Sequence, residues 1–193
     1  MGIASDLQSL HTIRRGVGRP LVLVHGLGGS WQSWAPILDL LAANREVIAF
    51  DLPGHGQSAA RADSGTFAGL ADSVEAWRAE QGLAGADLVG SSLGARLVLE
   101  LARRGGTGAV IALDPGGFWR GWERTGPAGP NAGPIAMGWG RSDRLYLPRQ
   151  AARAMAAFPT ATLHWFDGSG HFPAWDRPAD TVQFILEHTG HGP

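Results

Sequence analysis

The chain has 193 residues with 16 basic and 17 acidic side chains, which suits one domain with a real core and argues against a nucleic acid or an anionic membrane as partner. All 16 basic residues are arginine and there is no cysteine, so Schiff-base chemistry, a P-loop lysine, thiol nucleophiles, thiolate metal sites and disulfides are excluded. The opening MGIASDLQSL lacks a basic region followed by a long apolar run, and no run nears the roughly 18 apolar residues that span a bilayer, so the expectation is a soluble, cytoplasmic protein without a signal peptide.

In chain order, SLHTIRRGVGRP reads as an edge strand and a turn. Six short apolar runs follow: Leu21–Gly26, Glu46–Asp51, Ala86–Ser91, Ala109–Asp114, Ile135–Gly140 and Ala161–Asp167. They are continuous rather than alternating, as strands buried on both faces are. Helical stretches lie between most of them, at Ser33–Ala43, Thr66–Gln81, Ser92–Arg104, Pro148–Phe158 and Pro178–His188. Alternating β and α predicts an α/β fold across residues 1–193, a mainly parallel, twisted sheet with helices on both faces. One link breaks the pattern. Residues 115–134 contain ten Gly or Pro among twenty, and the second half, GPAGPNAGP, has no place inside a helix.

In such sheets ligands bind beyond the carboxyl ends of the strands. The third of these runs leads into GSSLG, Gly90–Gly94, which fits G-x-S-x-G with Ser92 at its centre. A sharp strand-to-helix turn lifts the central hydroxyl above the sheet, and the flanking glycines let strand and helix approach. Ser91 sits at a variable position of that pattern. The first run leads into HGLGGS, His25–Ser30, where a turn can aim the Leu27 backbone N–H at the same crevice as the Leu93 N–H, an oxyanion hole. The fifth run leads into GRSD, with Asp143 on a loop, and the sixth into DGSGHFP, with His171 on a loop. The order Ser92, Asp143, His171 is that of a strand-end catalytic triad.

The stretches HGLGGS, DLPGHGQS (Asp51–Ser58), LVGSSLGA, WGRSD and GSGHFPAWDRP together resemble the α/β-hydrolase superfamily, over nearly the whole chain. The resemblance implies hydrolysis of esters and related bonds without cofactor or metal. It makes Ser92 the nucleophile, His171 the base, Asp143 the acid, and Leu27 and Leu93 the oxyanion donors. Asp51 and His55 are expected to shape a loop. Asp114 is a rival acid, because some members place the acid after that strand, but Gly140–Asp143 keeps the family spacing. The slot at 115–134 commonly carries an inserted helical cap, so its Gly/Pro composition predicts a core whose cap is lost, naturally or by engineering. Trp31, Phe118, Trp119 and Phe172 are then expected to bind a small ester substrate. The aromatics at Trp31, Phe118, Trp119, Trp122 and Trp175 are expected to be exposed and to promote self-association. A carboxylesterase with weak, broad activity is the leading expectation. Amide, lactone, C–C or perhydrolase chemistry on the same triad, or a non-catalytic scaffold, stand as alternatives.

Overall fold

The computed structural model describes residues 10–118 and 132–190. Seven strands form one sheet: β1 (Thr12–Arg15), β2 (Pro20–Val24), β3 (Glu46–Phe50), β4 (Asp87–Ser91), β5 (Val110–Leu113), β6 (Ile135–Gly140) and β7 (Thr162–Phe166). Their order across the sheet is β1-β3-β2-β4-β5-β6-β7. Only β1, the edge strand expected from SLHTIRRGVGRP, is antiparallel to its neighbour, pairing Thr12 with Phe50 and Arg15 with Val47. The five other pairings are parallel, as the βα alternation dictates.

The helices are α1 (Ala35–Ala42), α2 (Phe67–Glu80), α3 (Leu93–Arg104), α4 (Ala151–Ala157), α5 (Pro173–Asp176) and α6 (Pro178–Thr189), with 3-10 turns at Trp31–Trp34 and Pro148–Gln150. Their ends follow local chemistry. Thr66 caps α2 by accepting the Gly69 N–H at 3.0 Å, Pro178 opens α6 where a missing N–H costs nothing, and Gly105 at φ 96° ends α3. The sequence reading missed α5, a single turn, because PAWD is too short to show a helical period.

Side chains alternate along each inner strand, so one sheet carries two cores. Val22, Val24, Ile48, Phe50 and Leu88 face α2 and α3 through Val74, Trp77, Leu97 and Leu101. Leu21, Leu23, Val47 and Ala49 face α1 and α6 through Ile37, Leu41, Phe184 and Ile185. Each such burial contributes about 1.5–3 kcal/mol, against about 0–1 kcal/mol for exposed ion pairs such as Arg103–Glu100, so these two layers hold the fold.

Two expectations need correction. The last run was read as buried on both faces, yet β7 alternates, with Thr162 and His164 exposed and Leu163 and Trp165 half-buried before the buried Phe166, because it is the sheet's edge and pairs with β6 alone. The first run was extended to Gly26, but β2 stops at Val24, releasing His25 and Gly26 into the loop. Of the shortened connection expected at 115–134, residues 119–131, including Trp119 and Trp122, lie outside the described residues. No helix among the described residues is long and apolar enough to cross a membrane.

Candidate active site

The sheet brings its predicted chemistry to one edge. Ser92 follows β4, Asp114 follows β5, Asp143 follows β6 and His171 follows β7, and these four neighbouring strands run parallel. Ser92 is the sharp turn between β4 and α3, with φ 57° and ψ −114°. Ser92 and Asp114 (φ 45°) are the non-glycine residues at positive φ among the described residues. The flanking glycines are required by contact. A Cβ on Gly90 would overlap the Gly94 carbonyl, and one on Gly94 would overlap the carbonyls of Val24 and His25. The turn is tied down by Ser92 N–H to Leu113 O at 2.9 Å and Gly116 N–H to Ser92 O at 3.3 Å.

His171 Nδ1 lies 2.8 Å from Asp143 Oδ2. The other oxygen, Asp143 Oδ1, accepts the N–H groups of Leu145 at 2.7 Å and Tyr146 at 2.9 Å. Burial pushes the Asp143 carboxyl up, but the hydrogen bonds from His171, Tyr146 and Leu145 outweigh it and hold it below the usual aspartate range. An ionised Asp143 fixes the His171 proton on Nδ1 and leaves Nε2 as the basic nitrogen. Nε2 is buried and makes no hydrogen bond among the described residues. The imidazole stands between the rings of Tyr146 and Phe172, each centred 4.8 Å away.

Loops lock together around this pair. A Cβ on Gly140 would overlap the Gly170 carbonyl, Ser142 N–H donates to Ser169 O at 2.9 Å, and Asp176 Oδ2 accepts the Gly170 N–H at 2.8 Å. Asp176 and Tyr146 escaped the sequence reading. The first sits in the quoted stretch GSGHFPAWDRP, but nothing in its spacing distinguishes it from a solvated turn residue.

The turn after β2 is equally fixed. Leu52 N–H donates to His25 Nε2 at 2.9 Å, so the His25 proton is on Nδ1 and donates to Gly26 O at 2.7 Å. Burial first, then His55, lowers the His25 pKa despite the Gly26 bond and Asp51, keeping the ring neutral. Gly26 O also accepts the Gly29 N–H at 3.1 Å. The Leu93 N–H opens α3, where a helix leaves its first donors without an i−4 partner. A Cβ on Gly26 would stand 3.1 Å from the Ser92 Cβ, so the Leu27 turn borders the serine. Asp51 shapes this region as expected, with Oδ1 accepting Trp31 N–H at 2.7 Å and Oδ2 accepting Gln57 N–H at 2.9 Å. His55 packs on His25 at 5.3 Å between ring centroids.

A cavity of about 190 Å³ opens beside this turn, lined among others by Leu27, Ser91, Trp34, Phe172 and Trp175. It adjoins an open groove bordered by Trp31, Phe172 and Trp175. Trp31 and Phe172 line this groove; Trp31, expected to be exposed, is half-buried, while Leu27, Phe172 and Trp175 are all more than half exposed. Phe118 does not fit its expectation. It is 1% exposed and packed in the α2–α3 core, and its carbonyl oxygen accepts a hydrogen bond from Arg153. Another cavity, of about 260 Å³, lies along β7 and α6 and touches none of these residues.

Among the described residues one cluster has metal-ligand character: Asp114, Asp143 and His171, with one donor atom of each within 4.8 Å of the others. The facing atoms of His171 and Asp143 already bond to each other, and Asp143 Oδ1 to two N–H groups.

Residues 19–110 match the model of the alpha/beta hydrolase fold family. The chain is 45% identical over 85 residues to the dihydrolipoyllysine-residue acetyltransferase component of acetoin cleaving system of Pseudomonas putida, covering 44% of this chain and 23% of that protein. It is 34% identical over 143 residues to the (lyso)-N-acylphosphatidylethanolamine lipase of Homo sapiens, covering 68% of this chain and 41% of that protein. The chain thus spans less than half the length of these curated relatives. A thermophilic esterase from Thermogutta terrifontis superimposes with a TM-score of 0.77 over 92% of both chains at 18% identity, a likeness of fold. The sheet order, the strained serine after β4 and the matched sequence converge: the chain has the fold of the α/β hydrolases, and residues 19–110 match that family's model.

Proposed function

We propose that this chain is a serine hydrolase that cleaves small carboxylic esters through an acyl-enzyme. The observation that carries this reading is the His171–Asp143 hydrogen bond with Nε2 left basic, on the same sheet edge as a serine held at positive φ. His171 Nε2 takes the Ser92 hydroxyl proton as Oγ attacks the acyl carbon, and Asp143 offsets the imidazolium charge. The Leu27 and Leu93 N–H groups receive the negative oxygen. The alkoxide leaves with the proton from His171. Water then attacks the acyl-serine, passing its proton to the same nitrogen, and the acid departs as Oγ regains a proton. In this reading Ser92 and His171 draw together around substrate, since catalytic hydrogen bonds often tighten only in the complex.

The substrate class follows from size and cover. The cavity beside the oxyanion turn holds about 190 Å³, room for a short acyl or alcohol group. Twenty residues, half of them Gly or Pro, occupy 115–134, too little chain for a multi-helix cap. A site without that roof buries less substrate and excludes less water, so activity is weak and broad. One similar protein is named a lipase and one similar structure an esterase, which supports acyl-ester chemistry.

The test is labelling of the folded protein by a fluorophosphonate probe, followed by turnover of short activated esters. Labelling is expected in the wild type and absent in Ser92→Ala, and Asp143→Asn lowers turnover by about 10⁴-fold. A folded protein that takes no label is a scaffold, and the proposal fails.

A further inference from the structure

Asp114 is a buried carboxyl that the hydrolytic steps do not use. Its backbone is held at φ 45° at the end of β5, and its side chain is fully inaccessible. Oδ1 accepts the Gly140 N–H at 2.9 Å. Oδ2 is buried and finds no N–H or O–H donor among the described residues. A carboxyl oxygen of Asp114 lies within 4.8 Å of a carboxyl oxygen of Asp143. Two buried like charges this close repel strongly, so one of the two carboxyls is favoured in its protonated form.

The proton's location follows from the donors. Asp143 receives three hydrogen bonds, from His171, Leu145 and Tyr146, while Asp114 receives one. The charged groups that face Asp114 are Asp143, Asp176 and, when protonated, His171. Both acids disfavour a further negative charge. We propose that Asp114 is held as a neutral carboxylic acid whose Oδ2–H donates to the Asp143 carboxylate, making it a positioning residue one link behind His171. Burial first, and then the Asp143 charge, push its carboxyl well above the ordinary aspartate range despite the Gly140 bond, in agreement with the geometry. The bond orients Asp143 and draws off part of its charge, so Asp143 offsets less of the imidazolium charge that forms on His171. The proton itself stays put through the reaction. The family's alternative acid position thus becomes a donor to the acid in use.

The catalytic consequence rests on the serine-hydrolase reading, but the proton does not. Infrared difference spectra of wild type against Asp114→Asn at neutral pH are expected to contain the C=O stretch of a protonated carboxyl in the wild type alone. No such band overturns the proposal. For the positioning role, the acid limb of the pH–rate profile is compared in Asp114→Asn and Asp114→Gly. Both residues tolerate a positive φ, so neither variant strains the backbone. Asn keeps an acceptor for Gly140 and an N–H donor for Asp143, and is expected to keep the acid limb in place. Gly removes the donor, returns full charge to Asp143, and is expected to move the limb upward by about one pH unit. Equal shifts in both variants, or none in Gly, overturn the role. Loss of fluorophosphonate labelling at Ser92 counts against the hydrolase reading and leaves the infrared result standing. If the Gly variant does not fold, the infrared band and the Asn profile still decide.

Discussion

Ser92 and Asp114 hold the same unusual backbone for different reasons. At Ser92 the positive φ presents a hydroxyl above the sheet, and at Asp114 it turns a carboxyl inward beneath Gly140. Such strain persists only where neighbours over-determine it. The two aspartates also carry opposite signs in stability. Asp143 is held below its usual range, so its contribution is present above the unfolded value and lost as pH falls through the folded one. Asp114 is raised well above 3.8. Its contribution is therefore complete below that unfolded value and is lost as pH rises toward the folded one, because the unfolded chain ionises freely while the folded one cannot. Asn at 114 removes this penalty. The thermal stability of Asp114→Asn relative to wild type is expected to rise steadily as pH increases from about 4. Melting curves across pH check this, and a constant offset would count against a buried neutral acid. Ser92, Asp143 and His171 stood out as candidates because residue type, strand end and order agreed. Asp114 was legible only as a rival, since protonation state depends on what lies across the fold.

At the scale of elements, the turn between β4 and α3 works because nothing occupies the space a side chain would take. Gly94 packs against the carbonyls of Val24 and His25, so α3 rests on the end of β2. Gly94→Ala is expected to destabilise the protein by about 3 kcal/mol, read as a lowered urea midpoint. Backbone, unlike the end of a side chain, cannot swing aside. A substitution without measurable cost would mean that α3 sits farther from the sheet. The run-and-gap pattern located the strands to within a residue or two. It failed at β7, since a buried run and an edge run of the same composition look alike until the neighbouring strand is known. It also failed at Phe118, where an aromatic beside a predicted strand end proved to be core.

For the whole molecule, a buried ion pair ties distant parts of the chain at the sheet's other end. Arg45 and Asp87 are both fully buried, 2.6 Å apart. Arg45 also donates to Thr189 Oγ1 at 2.8 Å and to the carbonyl oxygens of Arg19 and Pro20. Asp87 accepts from Arg19 and from the Ala109 N–H. The cluster joins β2, β3, β4, β5 and the end of α6. Arg45→Met is expected to cost about 3–5 kcal/mol, because it strands a buried carboxylate. Urea unfolding measures this, and a loss below about 1 kcal/mol would show that Arg19 alone compensates Asp87.

The sequence by itself determined what repeats locally: apolar runs with glycine breaks, a serine between two glycines, an acid and a histidine each just past a strand. These suffice for an α/β sheet and for three candidate site residues, because each depends on a few adjacent side chains. Only the tertiary structure decided what depends on partners far along the chain. It placed β7 at an edge, Phe118 in the core, Asp176 beneath the His171 loop and Asp114 against Asp143. Burial and the charge of a neighbour are properties of the space around a residue, and the intervening chain carries no record of that space, whether it is short, as between Gly170 and Asp176, or long, as between Asp114 and Gly140.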